Sequence, residues 1–350
     1  MARDREDSIR RLLSGALPFP EQGRVFLVET SSDFLARAAA EAVGDERLVI
    51  VERRLERHAL LSDFKVIHSE RAEPEIGDMV IIAAGRERLR LFIDLEHYAG
   101  CVGPQGQIAV FGTRKEGVQP AEALLRDHCI EQSARQKAGA RLLVVKPREG
   151  EDDWNLETPA DTFSAEARGQ SVTACALPGV FSWDRLDDAS TLMLSACKPR
   201  EGDHLLDMGC GSGVISCILL NEGLVTSATL ADSDALALKA SRRSLELCGF
   251  QGEVLASDAG EGLPAKSFDM ALCNPPYHSG SMQERGTGRR MIDNISRALT
   301  TKGRLYLVGP VFHDHSPELE RLFRYYEIAT ETPSFRVWHA SRPRRNPRKE

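Results

Sequence analysis

Short apolar runs, most of them followed by an acidic or turn-forming residue, recur along the second half of the chain. Four have the length of buried strands, at residues 204–206, 228–231, 253–256 and 268–273. Between the first two, residues 214–220 are apolar enough for a buried helix. Strands that alternate with helices are typical of βαβ units. The pattern therefore predicts an α/β domain built on a parallel sheet.

The first half of the chain repeats the order of these elements. Its apolar runs occupy residues 25–29, 48–52, 66–70 and 77–82, roughly 180–190 residues before their counterparts. A separation of this size predicts duplication of a whole domain, although a generic βαβ rhythm would produce a similar order.

Two domains are the expected organisation for a chain of 350 residues with a 42% hydrophobic share. A mostly acidic stretch that begins at Gly150 lies between Pro147 and Pro159, and such a composition is typical of a linker. We expect domains at residues 1–150 and 165–350, with the linker at residues 151–164.

Three alternate glycines follow the run at residues 204–206, directly after an acid and a methionine. They are Gly209, Gly211 and Gly213, and the acid is Asp207. Alternate glycines let the backbone turn sharply and approach a ligand, and the helix that follows offers free N–H groups to an anion. Asp207 suits a cofactor that carries a positively charged amino group.

Two other interpretations of this loop stay open, a dinucleotide site and a plain turn. A third, a phosphate-binding P-loop, is excluded because no Gly-Lys-Ser/Thr follows. A dinucleotide site remains possible, since its fingerprint is only partly met and Val214 stands where its third glycine belongs. A plain strand-to-helix turn would carry no ligand at all.

Acids also end the next two predicted strands. Asp232 lies about 20 residues past the glycine loop, where a carboxylate can accept hydrogen bonds from ribose hydroxyls. Asp258 ends the third strand, where it can meet an adenine amino group. Each has a structural alternative: Asp232 or Ser233 would cap a helix over residues 235–248, and Asp258 would be an ordinary turn acid.

The tetrad Asn274-Pro275-Pro276-Tyr277 follows the fourth strand. Ligands bind beyond the C-terminal ends of parallel strands, so this tetrad and the glycine loop share one crevice. The Asn274 amide oxygen and the Pro275 carbonyl can accept both N–H bonds of a planar exocyclic amine. The prolines fix the backbone, and Tyr277 offers a ring on which a base can stack. The alternative is a rigid turn with Tyr277 packed in the core.

Together, in this order, the motifs predict methyl transfer from S-adenosylmethionine to an exocyclic amine. The expected catalytic residues are Asn274, Pro275 and Tyr277. The expected cofactor-binding residues are Asp207, Gly209, Gly211, Gly213, Asp232, Asp258 and again Asn274.

These residues resemble the class I S-adenosylmethionine-dependent methyltransferases that methylate amines. Residues 177–182 (Leu-Pro-Gly-Val-Phe-Ser), 274–280 and 334–340 are similar to the ribosomal RNA guanine-N2 methyltransferases. The resemblance covers residues 165–341 well and the first half in outline. Many family members carry Phe at position 277 and Asp at position 279, where this chain has Tyr277 and Ser279.

The resemblance implies the fold class: α/β, with two Rossmann-like methyltransferase domains in tandem, the N-terminal one degenerate. It implies S-adenosylmethionine as cofactor and ribosomal RNA or a ribosomal subunit as partner. Adenine-N6 and protein-glutamine methyltransferases share the Asn-Pro-Pro-Tyr motif, so both remain alternatives. A non-catalytic RNA-binding assembly factor is a further alternative, against which the three intact glycines weigh.

The first half lacks the residues that carry this chemistry. Residues 30–35 replace the glycine loop without a single glycine, and Phe34 would crowd a cofactor. Residues 83–86 replace the tetrad without an asparagine or an aromatic ring. We expect this domain to be non-catalytic and to serve substrate recognition or folding support.

The net charge of −7 argues against a protein that coats nucleic acid nonspecifically. Phosphate contacts would then come from local clusters of basic residues. The alternative for each cluster is a solvated face or, for the C-terminal one, plain disorder. The clusters are Arg86, Arg88 and Arg90; Arg285, Arg289 and Arg290; and Arg342, Arg344, Arg345, Arg348 and Lys349.

The cysteines and the apolar runs bound the compartment. Eight cysteines occur without a Cys-x-x-Cys pair, so we expect reduced thiols and no metal site. No apolar signal region begins the chain, and no apolar run approaches the roughly 18 residues of a membrane span. A soluble, cytoplasmic protein is the expectation, and the sequence does not specify its oligomeric state.

Overall fold

The computed structural model describes residues 9–13, 15, 17–30, 32–85, 87–113, 116–150, 153–277 and 282–345, with the backbone alone described over 282–285. It contains two compact units, Met1–Pro159 and Ala160–Glu350.

The expected linker at residues 151–164 differs from the structure at both of its ends. Trp154 is only 4% exposed and belongs to the core of the first unit, and its ring stacks on His128 at 4.8 Å between centroids. At the other end, a strand begins at Thr162. An acidic, proline-flanked composition indicated exposed chain, but a buried tryptophan decides where the first unit ends.

The first unit is a seven-stranded sheet with helices, in the order β3-β2-β1-β4-β5-β7-β6. Strands β1 to β5 are parallel, and β7 is antiparallel to both of its neighbours. The strands are β1 Val25–Val28, β2 Leu48–Val51, β3 Val66–Ile67, β4 Met79–Ala83, β5 Gln107–Thr113, β6 Cys129–Lys137 and β7 Ala140–Pro147. The helices are α1 at residues 9–13, α2 Asp33–Val43, α3 Leu55–His58, α4 Arg88–Val102 and α5 Val118–His128, with a 3₁₀ turn at Ala59–Leu61.

The second unit has a sheet of the same size in the order β12-β11-β10-β13-β14-β16-β15, preceded by the separate hairpin β8-β9. Its strands are β8 Thr162–Ala167, β9 Gln170–Cys175, β10 Asp203–Met208, β11 Val225–Asp232, β12 Glu253–Ala256, β13 Phe268–Cys273, β14 Leu299–Pro310, β15 Phe323–Glu331 and β16 Phe335–Pro343. Its helices are α6 Asp188–Ala196, α7 Val214–Glu222, α8 Ala235–Leu247, α9 Met282–Ala298 and α10 Ser316–Leu322.

The central strands of both units are buried on both faces, as the continuous apolar runs predict. All four residues of β1 are buried, and so are the last four of β10. Parallel strands covered by helices on both sides lose contact with water on both faces, so each residue contributes to the core. Helix α7 is buried at its first seven residues, which explains why it lacks a polar face.

The two sheets have one topology, and their central strands share one register at their C-terminal ends. Val28 pairs with Val51 in the first unit, and Met208 pairs with Ala231 in the second. The predicted fold class, two Rossmann-like domains in tandem, is confirmed. No helix of the described chain has the length and apolar character that crossing a membrane requires.

Candidate active site

The glycine loop joins β10 to α7 at the C-terminal edge of the second sheet. Gly209, Gly211 and Gly213 all have positive φ, at 79°, 54° and 76°. Side chains rarely adopt this backbone region, which explains the glycines. A Cβ built on Gly209 or Gly211 meets no atom closer than 3.6 Å, whereas one on Gly213 lies 3.0 Å from Ser241. At the first two positions the backbone conformation, not crowding, requires glycine, whereas the third glycine also permits close packing of α8.

Asp207 lies inside β10, two residues before the first glycine, and is 2% exposed. Its carboxylate accepts a 2.7 Å hydrogen bond from the Ser216 hydroxyl at the start of α7. Burial raises the pKa of Asp207 to about 6, and the Ser216 bond opposes that rise. A buried carboxylate with one hydroxyl partner is costly to the fold. Its role toward a cationic cofactor group stays a prediction.

Asp232 closes the glycine loop from the neighbouring strand. Its carboxylate accepts a hydrogen bond from the Gly211 backbone N–H at 3.1 Å and another from the Asp234 N–H at 3.0 Å. The structural alternative, a cap at Asp232 or Ser233, is wrong: Asp234 caps α8 by accepting from the Leu236 N–H. One Asp232 carboxylate oxygen binds the glycine loop at Gly211, and the other binds the Asp234 N–H just before α8.

Asp258 follows β12 and forms an ion pair with Arg290 of α9. The guanidinium donates to both carboxylate oxygens, at 2.9 and 3.1 Å, and Asp258 is 22% exposed. The sequence suggested adenine as the partner of Asp258 and phosphate as the partner of Arg290. The structure brings these two side chains together, and their roles toward ligands stay predictions.

The Asn274 side chain is held by a serine that the motifs did not reveal. The Asn274 amide nitrogen donates to the Ser190 hydroxyl at 3.3 Å, and Ser190 is 4% exposed on α6. Asp187 caps α6 and accepts from the Ser190 backbone N–H at 3.1 Å. Because the amide nitrogen is engaged by Ser190, the amide oxygen of Asn274 is the atom left to accept from a substrate.

The Tyr277 side chain is anchored through its hydroxyl. That hydroxyl donates to the Val308 carbonyl oxygen at 3.2 Å and lies 2.7 Å from Nε2 of His315. Burial lowers the pKa of His315 to about 4, so the imidazole is neutral near pH 7. The Tyr277 ring meets His313 edge-on at 5.3 Å. This anchoring fixes the ring, and its stacking role stays a prediction.

Position 309 must be glycine for Tyr277 to take this place. A Cβ built on Gly309 of β14 would lie 2.5 Å from the Tyr277 hydroxyl oxygen. No motif in the sequence marked Ser190, Gly309 or His315 as part of the site. Asp187, an acid just ahead of an apolar helix, was the only signal, since it predicts the start of α6.

The basic clusters are only partly available for phosphate contacts. Arg90 does not fit that expectation, because it is 5% exposed and forms an ion pair with Asp94 one helical turn away. Arg290 is committed to Asp258, although it is 44% exposed. Other members of the clusters, and the last three residues of the segment 274–280, lie outside the described side chains: Arg86, Arg285, Arg348, Lys349, His278, Ser279 and Gly280.

Among the described residues, one group of side chains could hold a metal ion. Glu73, His97 and Cys101 bring their ligand atoms within 4.8 Å of one another. His97 and Cys101 lie one turn apart on α4, a spacing that a search for Cys-x-x-Cys pairs overlooks. The group belongs to the first unit, so it contributes nothing to the glycine loop or the Asn274 tetrad.

S-adenosylmethionine fits the arrangement in the second unit. Gly209 and Gly211 leave the loop backbone without side chains at the C-terminal edge of the sheet, and the N-terminal turn of α7 offers N–H groups to a carboxylate. A Cβ on Gly209 would lie 3.7 Å from the Asn274 carbonyl oxygen. Glycine loop and Asn274 tetrad therefore line one crevice, as the strand-end rule predicts.

Comparison with known proteins agrees with this geometry. The methyltransferase small domain family matches residues 171–339. The chain is 33% identical over 237 residues to the ribosomal RNA small subunit methyltransferase C of Cronobacter sakazakii, which covers 67% of this chain and 66% of that protein. It is 30% identical over 239 residues to the protein of the same name from Pseudomonas aeruginosa, covering 68% and 72%.

One solved structure shares the whole tandem fold. The T. thermophilus 16S rRNA N2 methyltransferase RsmC, solved with AdoMet and guanosine, matches 95% of this chain and 91% of its own length. The TM-score is 0.79 at 20% sequence identity, so this match speaks for the fold. The two relatives are matched over about two thirds of their own length or slightly more. On these relatives, the chain belongs to the family of ribosomal RNA small subunit methyltransferases C.

Proposed function

We propose that this chain transfers a methyl group from S-adenosylmethionine to the exocyclic N2 amine of a guanine in ribosomal RNA. The observation that carries the proposal is the Asn274 amide, oriented by Ser190 at the strand end beside the glycine loop. An amide fixed in this way presents its oxygen to an N–H donor. The names of the relatives, which act on ribosomal RNA of the small subunit, supply the substrate class.

The chain's own residues perform positioning and charge stabilisation. S-adenosylmethionine, when bound, supplies an activated methyl group on a sulfonium. The glycine loop and the start of α7 would hold its amino-acid portion, and Asp232 and Asp258, at the ends of their strands, would meet ribose and adenine. The Asn274 amide oxygen and the Pro275 carbonyl oxygen accept hydrogen bonds from the two N–H groups of the target amine. That arrangement directs the nitrogen lone pair toward the methyl group and stabilises the positive charge that develops on nitrogen.

Tyr277 provides the wall of the base site. Its hydroxyl is tied to Val308 and His315, so the ring loses little further freedom when a base stacks on it. Stacking of an extruded base on an aromatic ring offsets part of the cost of taking the base out of its RNA stack.

In this proposal, the first unit recognises the substrate or supports the fold of the chain. Ala83 ends β4 at the register position of Asn274, and alanine has no hydrogen-bonding group to orient an amine. The reaction therefore belongs to residues 160–350, and the cytoplasm is the compartment where a ribosomal RNA substrate would be met.

The test is methylation of unmodified ribosomal RNA, DNA and a glutamine-containing peptide with labelled S-adenosylmethionine, followed by nucleoside analysis. We expect label in N2-methylguanosine from the RNA. Label in N6-methyladenosine or in glutamine would support the alternatives that share the tetrad. No label together with no S-adenosylmethionine binding in calorimetry would support a non-catalytic RNA-binding factor.

A further inference from the structure

Phe312 lies in the loop that follows β14, beside the proposed base site. Strands β13 and β14 are parallel, with Cys273 paired to Leu307, so their C-terminal ends lie side by side. The next residue, His313, contacts the Tyr277 ring edge-on at 5.3 Å between centroids. Phe312 is thus one residue away from a side chain that packs on the tetrad.

This loop is held by hydrogen bonds on both sides of Phe312. The Val311 N–H donates to the Ser334 carbonyl at 3.1 Å, and the His313 N–H donates to the Pro310 carbonyl at 2.9 Å. Further along, His315 is 3% exposed and begins the hydrogen-bonding pattern of α10. The backbone that carries Phe312 is therefore fixed relative to Tyr277.

The Phe312 side chain is nevertheless exposed to solvent. At 85% it is the most exposed large hydrophobic side chain in the described part of the chain. It contributes little to the core, so the fold of this unit does not explain a phenylalanine here. An exposed aromatic ring on a fixed backbone at the rim of an RNA site is suited to base stacking.

We propose that the Phe312 ring stacks on an unpaired RNA base that neighbours the methylated guanine, an inference that rests on the proposed function. In the proposed function, Asn274 binds the target base and Tyr277 stacks on it. His313 packs against Tyr277 and is half-buried, whereas Phe312 extends away from that contact into solvent. Phe312 therefore forms a second, outer platform for the strand that enters the site.

The experiment measures binding of the full chain to a short single-stranded RNA that carries one guanine between uridines. A second RNA has abasic nucleotides on both sides of the guanine. We expect Phe312→Ala to weaken binding of the first RNA about tenfold, within the range of one lost stack. On the abasic RNA the substitution should have almost no effect, because the base it would stack on is missing. Phe312→Trp should restore affinity.

Tyr325→Ala is the matched control. Tyr325 is 58% exposed on β15 and pairs with Ser341, which in turn pairs with Arg304, six residues before the last residue of β14. It therefore lies toward the opposite end of the sheet from Phe312. We expect this variant to bind both RNAs like the unmodified chain.

Three results would overturn the inference: unchanged affinity in Phe312→Ala, an equal loss on both RNAs, or no binding of the single strand by the unmodified chain. Failure of the proposed function is a separate result. In that case the unmodified chain binds the RNA and shows the Phe312 effect but transfers no labelled methyl group.

Discussion

In the first unit, Glu29 stands where Gly209 stands in the second. Each follows the central strand and donates its N–H to the neighbouring strand, Glu29 to Val51 at 3.1 Å and Gly209 to Ala231 at 2.8 Å. Both have positive φ, 55° for Glu29 and 79° for Gly209. The first unit makes the same backbone turn without a glycine. The turn is therefore a feature of the fold, whereas the absence of a side chain at Gly209 suits the binding of a ligand.

Other equivalent positions differ in the same way. By strand register, Leu27 corresponds to Asp207 and Ala83 to Asn274. Leu27 is fully buried. The first unit thus has an apolar side chain where the second carries a buried carboxylate, which favours stability over ligand binding.

An ion-pair network occupies the strand-end edge of the first unit that corresponds to the candidate cofactor site of the second. Glu52 follows β2 as Asp232 ends β11, and it is buried. Arg57 lies 3.4 Å from carboxylate oxygens of both Glu52 and Glu29, and Arg53 lies 3.4 Å from Glu29. Charged side chains at this edge are paired with one another. Strand interiors are constrained by the core, whereas strand ends can differ between the two units without disturbing it.

The largest effect should come from breaking the glycine loop. Gly211→Asp adds a side chain at a positive φ and a carboxylate beside Asp232, so we expect S-adenosylmethionine binding to be abolished. Calorimetry should show one cofactor per chain before the substitution and none after it. Glu29→Gly restores the glycine of the first unit and should not create a second site. Two equivalents in the unmodified chain would contradict the comparison.

Asn274→Ala should lower the methylation rate by about 10²–10³, with S-adenosylmethionine affinity nearly unchanged, because the lost oxygen acts on the developing charge of the amine. Single-turnover kinetics and calorimetry separate the two effects. The mirror variant Ala83→Asn should leave the rate alone. An unchanged rate in Asn274→Ala would remove its proposed role.

The buried carboxylate of Asp207 predicts a pH-dependent cost to stability. Its pKa of about 6 lies above the ordinary aspartate value of about 3.9, so the folded state holds the proton more tightly than the unfolded state. Its contribution to stability is full below about pH 4 and is lost as pH rises through 6. Relative to Asp207→Asn, the unmodified chain should lose up to about 3 kcal/mol over that window.

Hydrogen exchange of the β10 amides under urea measures this stability in the second unit alone. Ser216→Ala removes the hydroxyl hydrogen bond to Asp207 and leaves that of the Ser216 backbone, which also opposes the rise in the Asp207 pKa, so the midpoint should move to higher pH. A difference between the unmodified chain and Asp207→Asn that does not vary with pH would show that Asp207 titrates normally.

The smallest effect should come from Ser190→Ala. Ser190 acts on the substrate only by positioning Asn274. Without its hydroxyl the Asn274 amide can rotate, so we expect turnover to fall about tenfold, as for the loss of one neutral hydrogen bond. S-adenosylmethionine affinity should stay the same. In the Asn274→Ala background the substitution should add nothing, since the group it positions is absent. Additive losses would mean that Ser190 supports the fold rather than Asn274.

The places of the candidate site residues on the second unit's sheet were predictable because local sequence encodes them. The glycines, the two strand-end acids and the Asn274 tetrad each sit within a few residues of an apolar run that fixes its strand. Parallel strands place their C-terminal ends together, so motifs far apart in the chain converge without further information. The duplication followed from the same runs, because both copies preserve the spacing of buried strands.

Contacts between side chains from different elements were decided only by the tertiary structure. Ser190 and Asn274 are 84 residues apart, Tyr277 and His315 are 38 apart, and Asp258 and Arg290 are 32 apart. Arg90 reads as an exposed cation in the sequence, yet α4 turns it inward to Asp94. Periodicity specifies which face of an element is buried on average. Which individual polar atoms meet depends on the packing of helices and loops onto the sheet, and the linear pattern does not encode that packing.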